Sequence, residues 1–325
     1  YKVCYNACMS YKRKLERIQK ITEKTQTELA ILLEVSFPTL NSWLNGKSIP
    51  RQKSQEKIDL LYQEYTGVAA VEDSDLEKKK QRIYEFQKRS PDLPKILTSR
   101  KDLYDTFVLE LTYHTNSIEG STFNEPEVKA VMFDNATIPD KSVVEHQEVK
   151  NHQAALGNLF RLAMEKNARI TEGDVKKLHA LLMNGIWSNA GQYRSHTVRI
   201  AGSNVPTANY LAIPKLMREF VRGLNKPGKN IFLHIAKTHA QFEQIHPFSD
   251  GNGRIGRLLM HLVALRNNLP PVLITREKKY AYYSYLQRAQ AKSEFIFLES
   301  FVCDALLESY ALVDFNQHSR DHRGA

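Results

Sequence analysis

From about residue 100 onward, apolar side chains recur at three- and four-residue spacing almost without interruption. Such a period lays one stripe of each segment against a core, so a chain built this way folds as packed helices. Val143–Met164, Thr171–Leu182, Ile213–Leu224 and Ile231–Ile245 are the clearest predicted helices. One stretch departs from the rule. Thr197-Val198-Arg199-Ile200 alternates, meets Gly202 and runs out at Pro206, which predicts a short β-hairpin. Residues 11–65 predict four short helices: Lys12–Thr22, Thr25–Leu33, Ser36–Leu44 and Ser54–Tyr65. Thr66-Gly67-Val68-Ala69-Ala70 and the acidic Glu72-Asp73-Ser74-Asp75 read as a linker. Helix resumes over Leu76–Gln87 and breaks at Ser90-Pro91-Asp92-Leu93-Pro94. The expected fold class is mainly α, with three parts: a small domain over 1–66, a linker and connecting helix over 67–99, and a larger domain over 100–325.

The loop after Ile231–Ile245 carries the chemistry. It reads His246-Pro247-Phe248-Ser249-Asp250-Gly251-Asn252-Gly253-Arg254-Ile255-Gly256-Arg257. The helix stops at His246 because the residue before proline is pushed out of helical geometry. Phe248 is the apolar anchor. Gly251-Asn252-Gly253 then opens a new helix that runs through Leu265. Its free N–H groups and macrodipole favour a phosphate. Arg254 and Arg257, three apart, share a helix face one turn inside that anion site. Asp250, at the loop edge, is a candidate Mg²⁺ ligand, with phosphates supplying others. A base at His246, a metal carboxylate, an anion nest and two arginines together suit in-line attack on a phosphate. The formal charge of +10 and pI near 9.3 fit a polyanionic partner, either nucleotide phosphates or nucleic acid.

Other classes recede. Three cysteines give no disulfide framework, and Cys4 and Cys8 lack the further ligands of a zinc site, so reduced thiols are expected. His234, His239 and His246 lack metalloprotease spacing. No apolar run reaches membrane-spanning length and no signal peptide is read, so a cytoplasmic protein without membrane contact is expected.

These twelve residues resemble the Fic-family signature: HPF, a free position, an acid, GNGR, two free positions and an arginine. His239, Phe242 and Ile245 before the loop and Leu258-Leu259 after it extend the likeness, which covers roughly residues 100–300. The resemblance implies a Fic helical core with one β-hairpin flap. It implies transfer of AMP from ATP, with Mg²⁺, to a hydroxyl of a protein substrate, the chain itself included. His246 is then the general base and Asp250 the Mg²⁺ ligand. Gly251 and Gly253 belong to the phosphate loop, Asn252, Arg254 and Arg257 contact phosphates, and Arg257 meets the γ-phosphate. Gly253 stands where Doc-like members that transfer a whole phosphate carry lysine, which favours AMP transfer without excluding UMP.

Two further stretches fit. Gly191-Gln192-Tyr193-Arg194 with Thr197, Val198, Arg199 and Ile200 looks like the family's flap, whose edge would hold an extended target segment; a plain structural hairpin is the alternative. Tyr280-Ala281-Tyr282-Tyr283-Ser284-Tyr285-Leu286-Gln287-Arg288-Ala289-Gln290 resembles the family's YYxxLxxA helix. It implies Tyr283 and Gln290 near the adenine, the alternative being an aromatic core edge. Thr115-Asn116-Ser117-Ile118-Glu119-Gly120 resembles the family's inhibitory motif, on a helix near 112–120. Thr115 and Glu119 share a face, and Glu119 would pair with Arg257 and deny it to ATP.

In the front segment, Leu29, Ala30 and Leu33 form one buried stripe and Leu40, Trp43 and Leu44 another. Ser36 caps the helix that carries the second stripe, and Pro38 sits in its first turn. This cadence resembles the Xre/lambda-repressor-like helix-turn-helix. The resemblance places DNA-reading positions at Phe37, Pro38, Thr39 and Ser42, with Lys47 nearby. A net charge of +4 over residues 1–66 supports phosphate attraction, while Phe37 and Pro38 offer little base discrimination. The alternative is a protein-contact module. Three functional readings follow: self-inhibited AMP transfer, removal of AMP with Glu119 orienting water, and a DNA-binding regulator whose core senses nucleotide or forms a homodimer.

Overall fold

The computed structural model describes residues 10–67, 71–165, 167–200 and 205–321, with 314–321 described by backbone alone. The described residues form helices and no strand. They fall into two compact units, Tyr1–Ala70 with Thr275–Tyr285, and Val71–Ile274 with Leu286–Ala325. Cys4, Cys8, Val68–Ala70 and Gly202 lie outside the described residues.

The first unit opens with four helices, α1 (Tyr11–Thr22), α2 (Gln26–Leu32), α3 (Phe37–Leu44) and α4 (Gln52–Thr66). The starts of α2 and α3 follow from the sequence. Thr25 and Glu28 close a reciprocal capping box on α2. The Ser36 hydroxyl accepts from the Thr39 N–H, with Pro38 in the first turn of α3. Gly46 takes a left-handed φ of +70° just past α3. Leu15, Ile18, Leu29, Leu40, Trp43 and Ile58 fill the core between the helices. Thr275–Tyr285 joins this unit, where Arg276 pairs with Glu23 and Lys278 with Glu64.

The second unit contains α5 (Asp73–Arg89), α6 (Leu93–Ser99), α7 (Lys101–Glu119), α8 (Glu125–Phe133), α9 (Val143–Met164), α10 (Glu172–Leu182), α11 (Ile213–Leu224), α12 (Ile231–Ile245) and α13 (Asn252–Arg266). It ends with the second half of α14 (Lys279–Lys292) and with α15 (Phe295–Asp321). Helix α13 is its axis: every residue from Arg254 to Leu265 is buried. A helix apolar on all sides must be enclosed, and α12, α9, α7, α10 and α6 all pack on it. Fully buried Phe107, Phe220, Phe232, Phe242 and Phe248 fill the spaces between these helices. Residues 251–253 therefore sit at the N-terminus of a helix buried along most of its length. No helix among the described residues is long and apolar enough to cross a membrane.

The β-hairpin expected at Thr197–Ile200 is corrected: these residues run without ladder partners. The alternating exposure that the pattern predicts is present, with Thr197 and Arg199 outward. Strand pairing is not, and Pro206 has no N–H to offer on the return. A side chain closes the segment instead, the Thr207 hydroxyl donating to the Val198 carbonyl at 2.8 Å.

Candidate active site

The site is built on the α12–loop–α13 junction. His246 ends α12 in the left-handed region at φ 50°. Its Nδ1 lies 3.2 Å from the Glu243 carbonyl. A carbonyl only accepts, so Nδ1 carries the hydrogen and Nε2 keeps its lone pair. Burial lowers the imidazole to about 4, with Arg194 adding to the effect and the Glu243 carbonyl opposing it. His246 is therefore neutral at physiological pH and carries a free Nε2, the form a general base needs.

Asn252 fixes the loop. Its carboxamide accepts from the Phe248 N–H at 2.9 Å and donates to the Phe248 carbonyl at 2.8 Å. That side chain is committed to the loop, so its remaining polar group for an anion is the backbone N–H. No side chain caps α13, because its N-cap is Gly251 at φ 74°. The first N–H groups of α13 thus remain open to an anion.

Asp250 is exposed at the loop edge. It accepts from the Gly251 N–H at 2.6 Å and from the Trp187 indole at 3.2 Å. Its backbone carbonyl meets His179 Nε2 at 3.0 Å, while His179 Nδ1 accepts from the Gly191 N–H at 2.7 Å. His179 stacks flat on Phe248, with ring centroids 3.7 Å apart. Burial lowers His179 to about 4, so it props the loop as a neutral ring. A lone exposed carboxylate with spare lone pairs suits Mg²⁺, which keeps its waters and binds substrate phosphates. Among the described residues no group of three or more His, Cys, Asp or Glu is placed to hold a metal ion, so a protein-built cage is not available.

Arg254 and Arg257 are both buried, and each donates to a carboxylate. Arg254 Nη1 donates to Glu148 of α9 at 2.7 Å. Arg257 Nε donates to the Thr115 hydroxyl at 2.6 Å, and its Nη2 to Glu119 at 2.5 Å. Glu119 is the last residue of α7, where the helix dipole opposes negative charge, and Arg257 offsets that. A Cβ on Gly253 would stand 2.6 Å from Glu119 Oε1, so the carboxylate occupies the space that glycine leaves.

Along α12, a cavity of about 250 Å³ is lined by Lys237, Ala240, Gln241, Gln244, Gln290 and Phe295. Gln290 donates to the Ala240 carbonyl at 3.1 Å. Tyr283, in the first unit, is 40% exposed and its ring lies against Tyr282.

Sequence reasoning missed Glu148, Glu243, Trp187, His179 and the role of Arg194. Arg194 is 3% exposed, and its guanidinium donates to four carbonyls: His246 at 2.7 Å, His196 and Ala208 at 2.6 Å, and Ile245 at 3.4 Å. One planar fork thus ties the His246 backbone to both roots of the 197–207 segment. Lysine cannot span those acceptors. Arg194→Lys is expected to lower any transfer through His246 by ~10²-fold, because small misplacements of a reacting group carry penalties of that order. Nucleotide affinity should be unchanged, and transfer rates measured beside calorimetry check this.

Residues 169–264 match the Fic/DOC family model. The protein adenylyltransferase Fic of Aedes aegypti is 33% identical over 183 residues, covering 54% of this chain and 36% of the relative. That of Nematostella vectensis is 34% identical over 181 residues, covering 54% of this chain and 42% of the relative. The chain thus spans about two fifths of the length of these curated relatives. A Fic domain containing signaling protein from Bacteroides thetaiotaomicron shares the fold with a TM-score of 0.64 at 24% identity, over 73% of this chain and 98% of that one. From the start of α10 to late in α13, where the histidine loop and both arginines lie, the chain matches the Fic/DOC family, and it has homologues that are named protein adenylyltransferases.

Proposed function

We propose that this chain transfers AMP from ATP to a Ser, Thr or Tyr hydroxyl of a protein, and that Glu119 restrains the reaction. One observation carries the reading: a neutral histidine with a free Nε2 and the uncapped N-terminus of α13 share a loop, and the arginine one turn in is held by Glu119. The hydroxyl oxygen attacks the α-phosphorus and its proton passes to His246 Nε2. The bond from the α-phosphorus to the pyrophosphate oxygen breaks, and pyrophosphate leaves. The α13 N–H groups, Arg254 and Arg257 stabilise the charge on the phosphates. Asp250 would hold Mg²⁺, which neutralises phosphate charge when bound. The cavity lined by Gln244 and Gln290 is bounded by the last turns of α12 and would take the base. With Glu119 on Arg257, a γ-phosphate has no partner there and the triphosphate cannot seat.

The test is incubation of the chain, and of its Glu119→Gly variant, with α-labelled ATP, CTP, GTP or UTP, Mg²⁺ and a cell lysate. Label from α-labelled ATP is expected on protein, and none from γ-labelled ATP. Transfer of the γ-label would replace this reading with phosphorylation. The position of Glu119 at the phosphate site also favours a second reading, in which it orients water to remove AMP. Wild type would then strip a pre-modified target and Glu119→Gly would not.

For the first unit we propose salt-sensitive DNA binding with little sequence preference. Phe37 and Pro38 are exposed at the start of α3, and Lys47 is exposed beyond its end. Thr39 and Ser42 are engaged within the unit, their hydroxyls paired with Ser36 at 2.8 Å and Ser48 at 2.7 Å. Phosphate attraction survives in this arrangement and base reading is weak. Absence of duplex binding by the full chain at low salt would leave a protein-contact module.

A further inference from the structure

Glu243 stands one turn before His246 on α12, is 6% exposed and takes part in none of the steps above. Its Oε2 lies 3.8 Å from His246 Nδ1, on the same edge of the ring as its own backbone carbonyl. Its Oε1 is buried and has no hydrogen-bond partner. An oxygen left that way is unfavourable, so packing alone gives no reason for a carboxyl there. The neighbouring helix is shaped to receive it. A Cβ on Gly256 would stand 2.4 Å from Glu243 Oε1 and 2.8 Å from His239 Nδ1. Any residue but glycine at 256 would collide with this carboxyl.

We propose that Glu243 is a positioning residue for the transfer reaction, its carboxyl backing the Nδ1 edge of His246 and meeting the charge the ring gains with the substrate proton. This rests on the AMP-transfer reading. As the hydroxyl oxygen bonds to the α-phosphorus, its proton moves to Nε2 and pyrophosphate departs. The ring becomes an imidazolium whose Nδ1–H faces the Glu243 carbonyl and carboxyl. An orienting group behind a histidine base stabilises that cation without itself taking the proton.

The ionised carboxyl does this far better than the neutral acid. The titratable and charged groups facing it are Arg257 from α13, Glu119 from α7, and His239 and His246 from its own helix. Burial pushes the carboxyl up to about 8, Arg257 opposing and Glu119 adding. Its folded value is raised, so the acid form prevails at neutral pH and the carboxylate appears as pH rises through 8. Transfer is therefore assisted at alkaline pH.

The experiment uses the full chain carrying Glu119→Gly, with and without Glu243→Gln. The parent should show kcat rising with pH, with a midpoint drawn somewhat below 8 because the Glu119 charge is gone while burial of Glu243 remains. Glu243→Gln should remove the rise and lower kcat at the upper end by about tenfold, the effect of one pK unit of coupling, with KM for ATP unchanged. The His246 ring signals, assigned through His246→Ala, supply a readout independent of activity. In the parent they should shift with an alkaline midpoint that Glu243→Gln abolishes. Superimposable pH profiles overturn the proposal, as does an alkaline shift that survives Glu243→Gln or is missing from the parent. Loss of ATP binding or of the helical spectrum in Glu243→Gln would make the residue structural, which also overturns it. If the parent transfers no nucleotide while the ring shift behaves as stated, the AMP-transfer reading fails and the Glu243–His246 pairing stands.

Discussion

Replacing Glu119 by glycine is expected to raise AMP transfer by ~10²-fold or more, onto added protein and onto the chain itself. Arg257 is 2% exposed, and its charge is met by one carboxylate at 2.5 Å and one hydroxyl at 2.6 Å. Without Glu119, the guanidinium faces the uncapped start of α13 with its Nη2 available, and the γ-phosphate takes the vacated position. The same reasoning predicts a cost before nucleotide arrives. Losing one carboxylate partner of a buried charge costs up to ~3–5 kcal/mol, and less here because Arg257 keeps its Thr115 contacts and Glu119 is a third exposed. The variant should therefore melt below wild type alone and recover with ATP. Arg257→Ala should show no gain in transfer, since the phosphate contact disappears with the brake's anchor. Initial rates with α-labelled ATP, read beside melting curves with and without nucleotide, check all of this. Equal rates for wild type and Glu119→Gly would make the Arg257 pairing an ordinary structural ion pair.

Removing the imidazole has the opposite outcome. In the Glu119→Gly background, His246→Ala is expected to lower transfer by at least ~10²–10⁴-fold, the usual contribution of a placed base. ATP affinity should hold, because the α13 N–H groups and both arginines are untouched. His246 sits at φ 50°, where alanine is strained by about 1–2 kcal/mol and asparagine is tolerated. His246→Asn therefore separates lost chemistry from backbone strain, and both variants should be equally inactive. The acid limit of the reaction should also be unusual. Burial lowers the ring to about 4, so the base form persists well below pH 6.5. Activity tied to this proton should fall only as pH approaches 4. An acid limb near 6.5 would assign the base to a different, solvated group. Calorimetry with ATP on each variant completes the comparison.

The helices that frame the site were legible because a helix stripe repeats in sequence. Val143–Met164, Ile213–Leu224 and Ile231–Ile245 begin and end where the apolar period and the flanking Asn, Ser, Gly and Pro place them. The loop was legible because its residues are consecutive. What the sequence hid lies across the fold. Glu148, Glu243 and His179 sit on helices where a polar residue reads as a solvated face, and only the packing of α9, α10 and α12 around α13 turns them inward. Arg194 carries no local signal for four carbonyl acceptors. That Thr275–Tyr285 belongs with the front helices depends on contacts far apart in the chain. The hairpin failed for a different reason. Alternation reports which side chains face water, and a strand also needs a backbone partner, which Thr197–Ile200 does not find among the described residues.

Glycine at 253 ties two properties to one position. Because the Glu119 carboxylate stands where a Cβ would be, a side chain gained at 253 has to move that carboxylate, and with it the pairing on Arg257. On the proposed reading, in which Glu119 restrains transfer, a larger residue at 253, lysine included, therefore alters the loop and the restraint in one mutational step.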